Sequence, residues 1–222
     1  MEYVERPFDT QLQDLKRQIL VMGGHVEKSL SEVTAGLANR EKSRFQGVYE
    51  IERKINEGHI NVDNSCLNLL ATNSPVARDL RMILSIIKIN TDLERMGDQT
   101  VNISYTAQDY LERKPLAHAS ELSRMAEMAR VMVRESLDCF VRGDVEGSRK
   151  VLLMDDQVDE MKNRMFHEIA AHMKANPNDV EAGLDLILIA RNLERLGDHA
   201  TNIAEDVIFA QTGQDVRHGG KS

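Results

Sequence analysis

Apolar residues recur in steps of three and four along most of the chain, which is the spacing of one buried face on an α-helix. In the first half, three such runs extend from Leu12 to Leu37, from Val48 to Leu70 and from Leu80 to Ile103. An Asn or Ser before Pro75 is expected to cap the third helix, which should then end near the ERKP sequence at Glu112.

The second half repeats this plan. Its apolar runs extend from Leu122 to Phe140, from Val151 to Ile169 and from Leu184 to Val207. A break around Gly143 separates the first two runs, and the sequence ANPND, which begins at Ala175, opens the last one. The chain is therefore predicted to be all-α, with six long helices arranged as two pseudo-symmetric antiparallel three-helix bundles.

The same pattern sets the predicted domain boundaries. Residues 1–114 form the first bundle and residues 118–212 the second, with a linker near Lys114 to Ala119. Residues 213–222 are expected to form a flexible tail.

The central motif is a stretch that occurs twice, one hundred residues apart, as LERMGDQTVNI from Leu93 and LERLGDHATNI from Leu193. Residues four apart lie on the same side of a helix, so each copy places its Glu and Asp on one stripe that faces away from the apolar side. The four carboxylates are those of Glu94, Asp98, Glu194 and Asp198. Gly97 and Gly197 lie toward the apolar side, where a missing side chain allows a neighbouring helix to approach closely.

Antiparallel neighbouring helices bring together residues that are equally distant from their shared turn. Counting back from the turn before Pro75 reaches Glu52 and Asn56, and counting back from Asn176 reaches Asp155 and Asp159. Each half is therefore expected to gather four side chains. The first cluster is Glu52, Asn56, Glu94 and Asp98, and the second cluster is Asp155, Asp159, Glu194 and Asp198.

Carboxylates held this close repel one another and have raised pKa values unless a cation compensates their charge. Oxygen ligands suit magnesium, calcium or manganese, and also iron or zinc where carboxylates bridge several ions. A divalent or multinuclear metal site is one interpretation. The other is a surface ion-pair network, because Arg95, Arg191 and Arg195 project from the same face. The spacing alone leaves both open.

Other chemistry receives little support. The sequence HEIAAH at His167 has its second His at i+5 and not at i+4, so it does not match a zinc protease helix. No Glu-x-x-His pair suits a di-iron bundle enzyme, and no nucleophile or phosphate-binding loop is present. Arg78 and Arg81 share one face near a helix start, either as a docking patch for an acidic partner or as an ordinary exposed turn.

Composition restricts the partners and the compartment. The net charge of −8 disfavours nucleic acid, and no apolar stretch approaches the length of a membrane span. Cys66 and Cys139 lie far apart and outside any ligand-like spacing, which fits a reducing compartment. A cytoplasmic protein is predicted.

Taken together, these residues resemble the PhoU family, accessory proteins of the phosphate-specific transport system. The resemblance covers nearly the whole chain. It rests on the doubled ERxGD motif, each copy followed by Asn-Ile, and on SPVARDLRMI from Ser74, DDQVD from Asp155 and DVRHGG from Asp215. It implies six helices in two pseudo-symmetric bundles.

The resemblance also implies a metal and its ligands. Family members bind iron, zinc, manganese or magnesium through E/DxxxD motifs on the bundle surface. The matching pairs here are Glu94 with Asp98, Asp155 with Asp159, Glu194 with Asp198, and Glu52 with Asn56. In the last pair Asn56 stands where the family frequently has Asp.

The function implied is regulatory and not enzymatic. A PhoU-like protein restrains phosphate uptake and phosphate-starvation signalling as an adaptor between the phosphate ABC transporter, through its ATPase subunit, and a sensor histidine kinase. It works at the membrane through these partners, and homodimers are common. The expected docking residues are Arg78, Arg81, Arg95 and Arg195. Two alternatives stay open: a metal-binding helical protein with a storage or metal-dependent enzymatic role, and a purely structural scaffold.

Overall fold

The computed structural model describes residues 7–217, and in them the chain forms six long helices and no strand. The helices are α1 (Pro7–Asn39), α2 (Ser43–Asn73), α3 (Arg78–Leu111), α4 (Ala119–Arg142), α5 (Val145–Ala175) and α6 (Val180–Thr212). A single 3-10 turn, Pro177–Asp179, precedes α6. Helices α1 to α3 pack as one three-helix bundle and α4 to α6 as the other. The predicted fold class is confirmed.

Local sequence explains the ends of α4 and α6 and the start of α5. Gly143 and Gly213 adopt left-handed backbone angles, φ 65° and 78°, and so end α4 and α6. The carboxylate of Asp144 accepts a hydrogen bond from the backbone N–H of Gly147 at 2.8 Å and caps the start of α5.

The predicted start of α3 at Pro75 is wrong. The helix begins at Arg78, and Pro75 lies in the non-helical connection that follows α2. Ser74 and Ala77 both have positive φ, 43° and 47°, so the chain leaves the right-handed helical region on either side of Pro75 and regains it only after Ala77. At the equivalent turn in the second half, Pro177 begins the 3-10 turn and α6 follows it.

A continuous apolar core runs through both halves. It includes Ile19 and Ile55 of the first bundle and Val158 and Ile189 of the second, all of which are fully buried. The two bundles meet along α3 and α6, which form the most extensive helix pair, and along α1 and α4. Helices α2 and α5 therefore lie on the flanks, each packed against the other two helices of its own bundle.

Helices α3 and α6 run antiparallel, and their polar contacts set the register. These contacts join Lys88 to Asp206 (3.1 Å), Asp92 to His199 (2.8 Å) and Arg113 to Asp185 (2.7 Å). Residue numbers rise along α3 as they fall along α6, and the two motifs cross near the middle of the pair. Glu94 therefore lies at the level of Asp198, and Asp98 at the level of Glu194.

Within the predicted tail, Asp215 and Arg217 form an ion pair at 2.6 Å, whereas residues 218–222 of that tail, with residues 1–6, lie outside the described residues. The linker predicted near Lys114 to Ala119 falls in the connection of residues 112–118 between α3 and α4. Between residues 7 and 217, no helix is both long and apolar enough to cross a membrane.

Candidate functional site

The second cluster comes together in the groove between α5 and α6. Asp155 and Asp159 lie on successive turns of α5, and Glu194 and Asp198 on successive turns of α6. Lys162 joins the two helices, because its Nζ donates to Glu194 Oε1 at 2.6 Å and to Asp159 Oδ1 at 3.2 Å.

Gly197 brings Asp155 into the same cluster. The Oδ1 atom of Asp155 lies only 3.5 Å from the position that a Cβ atom on Gly197 would occupy. Helix α5 therefore passes close to α6 at this glycine, as the motif predicted, although a Cβ atom here would make only an ordinary contact with Asp155. All four second-cluster residues lie at one level of the molecule.

Burial and mutual repulsion make this cluster electrostatically unusual. Burial and, to a smaller extent, the charges of Asp198 and Asp159 together raise the pKa of Asp155 to about 6. The pKa of Asp198 is also raised, first by burial and then by Glu194. The hydrogen bond to Glu194 raises the pKa of Lys162, which keeps its positive charge within the group. One ammonium group faces four carboxylates, so the cluster carries excess negative charge.

The two motif glutamates are less exposed than a stripe facing open solvent would be, whereas Asp98, Asp159 and Asp198 are more exposed. The side chain of Glu194 is 17% exposed and that of Glu94 is 23% exposed. The stripe does face away from the bundle core, as the positions of the buried Leu93 and Leu193 show, but it lies in the groove formed with the flanking helix.

The first cluster has the same backbone placement but different side-chain pairing. Ile55 of α2 lies beside Gly97 of α3, with its Cδ1 atom 3.1 Å from the position that a Cβ atom on Gly97 would occupy. Residues 52–56 of α2 therefore lie beside the first motif of α3, as residues 155–159 of α5 lie beside the second motif. Asn56 Nδ2 donates to Glu52 Oε1 at 2.5 Å, and this pair stays on α2.

On α3, Arg95 lies 3.1 Å from Asp98 and 3.5 Å from Glu94. Within residues 7–217, no hydrogen bond or ion pair joins Glu52 or Asn56 to Glu94 or Asp98. The surface ion-pair network considered from the sequence therefore describes the first cluster better than the second.

The two clusters differ in how well they fit a metal ion. In the part of the chain that the structure describes, no three Asp, Glu, His or Cys side chains converge on one point as they are positioned. The second cluster nevertheless offers four carboxylates, two of them with raised pKa values, and Lys162 is the cation that forms ion pairs with it, although Arg191 and His199 also lie nearby. This donor set suits a hard cation. The first cluster offers three carboxylates, an amide and a competing guanidinium, and fits less well.

Known proteins match this chain over both halves. A family model described as the PhoU domain matches residues 19–107 and again residues 122–207. The chain belongs to the PhoU family. A PhoU relative from Pseudomonas aeruginosa, named phosphate-specific transport system accessory protein PhoU homolog, is 36% identical over 98% of this chain and 90% of its own length. The PhoU protein of Escherichia coli strain K12 is 27% identical, over 99% and 91%.

Two solved PhoU structures have the same fold. The crystal structure of PhoU from Pseudomonas aeruginosa superposes with a TM-score of 0.90 at 35% identity, and covers 93% of this chain and 99% of its own. The phosphate transport system regulatory protein PhoU from Streptococcus pneumoniae gives a TM-score of 0.88 at 28% identity, over 94% and 99%. These matches confirm the family resemblance on which the sequence interpretation relied.

The four arginines expected to dock partners of this PhoU chain do not form one patch. Arg78 donates to Gln211 Oε1 at 3.1 Å, and Arg81 lies beside Gly213, so both contact the end of α6. Arg95 belongs to the first cluster, and Arg195 is exposed and forms no ion pair with any described residue. The distance along α3 from Arg78 to Arg95 is roughly 25 Å at 1.5 Å per residue, so one small patch cannot contain all four.

Sequence reasoning missed Lys162, which bridges the second cluster, and the contact between Asp92 and His199 that joins the two halves. Lys162 follows Asp159 by three positions and Asp155 by seven, so a search of the same helical stripe for cations could have found it. No comparable signal exists for Asp92 and His199, which lie in different repeats and meet only because α3 and α6 pack together. The HEIAAH histidines do not form a site, since His167 is exposed and His172 lies 2.8 Å from Asp179.

Proposed function

We propose that this protein is a negative regulator of phosphate uptake and of phosphate-starvation signalling. The observation that carries the proposal is the full-length match to proteins named for the phosphate-specific transport system, which includes the PhoU domain in both halves. The Streptococcus pneumoniae structure, whose name describes a regulatory protein of phosphate transport, supports the same role.

In this proposal the protein acts as a cytoplasmic adaptor and catalyses no reaction. It contacts the ATPase subunit of the phosphate ABC transporter and the sensor histidine kinase, and works as a homodimer. The half-buried acidic clusters support docking of basic partner surfaces, because concentrated charge of one sign favours recognition of the opposite sign. The exposed guanidinium of Arg195 supports a further contact with an acidic group.

A metal ion completes the second cluster in this proposal. The second cluster would hold a divalent or multinuclear centre of iron, zinc, manganese or magnesium through Asp155, Asp159, Glu194 and Asp198. The first cluster would bind a metal more weakly, because Asn56 and Arg95 reduce its negative charge. Bound metal would supply positive charge that offsets the repulsion between the carboxylates.

Gene deletion tests the regulatory role. In phosphate-rich medium, a strain without this gene should take up labelled phosphate faster and express a phosphate-starvation reporter, and the wild-type gene should reverse both effects. Asp155→Asn/Asp198→Asn should reverse them incompletely, whereas Glu160→Gln/Glu168→Gln, which removes two exposed charges elsewhere on α5, should behave as wild type. Unchanged uptake and reporter expression in the deletion strain would show that the regulatory proposal is wrong.

Mass spectrometry tests the metal separately. Untagged protein purified without chelator should contain stoichiometric metal, and Glu94→Ala/Asp98→Ala/Glu194→Ala/Asp198→Ala should contain none. Variants with substitutions in only one half should show that the second cluster accounts for most of the metal. Metal-free wild-type protein that still represses the starvation reporter would contradict the metal proposal and leave the regulatory one intact.

A further inference from the structure

An apolar groove of about 660 Å³ lies between α4 and α5 on the flank of the second bundle. Its floor is formed by Met128 and Val131 of α4 and by Met154 and Met161 of α5. These side chains pack partly against the core but remain accessible from solvent. The second cluster lies on the other side of α5, against α6, so this surface is separate from the candidate metal site.

The internal repeat supplies a comparison within the same chain. Buried serines align the halves, Ser29 of α1 with Ser136 of α4, and the buried Ile55 of α2 aligns with Val158 of α5. With this alignment, the first-half residues at the positions of Met128, Val131 and Met161 are Val21, Gly24 and Gly58. The corresponding groove between α1 and α2 is lined largely by polar side chains, including those of Arg17, Lys54 and Asn61. Met154 aligns with the buried Ile51, and Val21 is itself apolar, so the two halves differ at the positions of Val131 and Met161. The fold itself therefore does not require a large apolar side chain at those two positions.

The rim of the α4–α5 groove carries positive charge. Arg124 and Arg164 share one carboxylate, that of Glu121, at 3.3 Å and 3.5 Å. Their side chains remain 73% and 53% exposed. Glu127 also lines the groove, and Arg130 binds its carboxylate at 2.5 Å and 2.8 Å. Three guanidinium groups therefore face two carboxylates, which leaves the rim net positive on a chain whose overall charge is −8.

We infer that this groove binds an amphipathic helix of another protein, with apolar residues at i, i+3 or i+4, and i+7, and with acidic residues that meet Arg124 and Arg164. The charge of the rim selects an acidic helix. Methionine side chains adapt to the shape of an incoming apolar face, which suits a helix-binding groove. From Met154 to Arg164 the floor extends roughly 15 Å at 1.5 Å per residue, which is the length of a helix of about ten residues.

The test uses a synthetic peptide of about 14 residues, held helical by a side-chain staple, with leucines at these positions and two glutamates flanking them. Methyl spectra of the full-length protein provide the readout, because the groove contains three of its eleven methionines. The acidic peptide should shift the methyl signals of Met128, Met154 and Met161, and should not shift those of Met22 and Met82. A peptide with lysines in place of the glutamates should bind at least about tenfold more weakly.

Charge reversal provides the matched variants. Arg124→Glu/Arg164→Glu should weaken the acidic peptide at least about tenfold and bind the lysine peptide in its place, whereas Arg17→Glu, at the equivalent position in the first half, should change neither. Met161→Gln should weaken both peptides without changing the helical circular dichroism. The reversed preference is a gain of binding, so a variant that merely misfolds cannot imitate it.

Three results would overturn the inference. The first is that neither peptide shifts the groove methyl signals, and the second is that both peptides bind wild-type protein equally. The third is sedimentation that shows a dimer of this chain lost in Met161→Gln and retained in Val21→Gln, because a second copy of the chain would then cover the groove.

Discussion

Asp155 is partly buried among other carboxylates, so its charged form is destabilised in the folded state. Its pKa is about 6, above the ordinary value of 3.8 that it regains on unfolding. The folded protein therefore holds this proton more tightly, and stability is lost as pH rises through this interval. In metal-free protein, Asp155→Asn should raise the melting temperature at about pH 7, with a difference from wild type that shrinks by about pH 4.

Thermal melts followed by circular dichroism in the presence of chelator measure this effect, with Glu160→Gln as the control for loss of an exposed acid on α5. Parallel pH curves for wild type and Asp155→Asn would contradict the expectation. Added manganese should raise the melting temperature of wild type and have a much smaller effect on Asp155→Asn/Asp198→Asn, since a ligand that binds only the folded state stabilises it.

The two motif glycines have the same sequence context but different neighbours. A Cβ atom on Gly197 would have only ordinary contacts, 3.5 Å to Asp155 and 3.6 Å to Met132, whereas one on Gly97 would lie 3.1 Å and 3.3 Å from the buried Ile55. Gly197→Ala should therefore gain up to about 1 kcal/mol of unfolding free energy from helix propensity. Gly97→Ala should gain less or lose stability, because Ile55 must move.

Urea unfolding of both alanine variants, each compared with wild type in chelator, tests this difference. A gain from Gly97→Ala that equals or exceeds the gain from Gly197→Ala would contradict it. The sequence predicted close helix approach at both glycines and could not distinguish them, because the difference depends on whether an isoleucine or an aspartate faces the glycine across the groove.

At the level of helices, the α3–α6 pair depends on a buried charge. The Asp206 carboxylate is 4% exposed and lies 3.1 Å from Lys88 Nζ. Burial raises the pKa of Asp206, and Lys88 opposes that shift. Lys88→Met should lower the free energy of unfolding by about 3 kcal/mol, because it leaves a buried carboxylate without its partner.

The double variant Lys88→Met/Asp206→Asn should recover most of this loss, and Lys150→Met, an exposed lysine of α5, should have little effect. Chemical denaturation of the single and double variants gives the coupling between the two residues. A double variant that is no more stable than Lys88→Met would contradict the expectation that the Lys88–Asp206 ion pair stabilises the contact between α3 and α6.

Helices were the most predictable elements. Each has an uninterrupted apolar face, and Gly143 is a recognisable stop signal. The start of α3 was not predictable, because Ser74 and Ala77 adopt positive φ although neither residue type favours it. Counting equal numbers of residues from each turn correctly predicted which residues of α2 face α3 and which residues of α5 face α6. It could not predict the ion pairs, in which Arg95 binds Asp98 on its own helix whereas Lys162 connects two helices.

For the whole molecule, the shared core predicts cooperative unfolding of the two halves. All four tyrosines lie in the first half of the sequence, and the chain contains no tryptophan, so tyrosine fluorescence reports on that half alone. Far-ultraviolet circular dichroism reports on all six helices. The two signals should change at the same urea concentration, because unfolding one bundle would expose the apolar sides of α3 and α6.

A tyrosine transition that clearly precedes or follows the loss of helix would instead indicate bundles that unfold independently. Lys88→Met should lower both midpoints together if the halves unfold as one unit. The sequence repeat predicted two bundles, but it did not predict how large the interface between them is. That area depends on which faces of α3 and α6 meet, and helical periodicity alone does not specify this.

The crossing of α3 and α6 places both acidic motifs at the same level, related by a half-turn about the centre of the molecule. This is the geometry of a homodimer made from one polypeptide. In a true homodimer every substitution appears twice, whereas here each half can change alone, as Asn56 and Asp159 already illustrate. A partner with two identical arms that engaged both motifs would therefore meet two unequal sites, and its symmetry would be broken by the surface it binds.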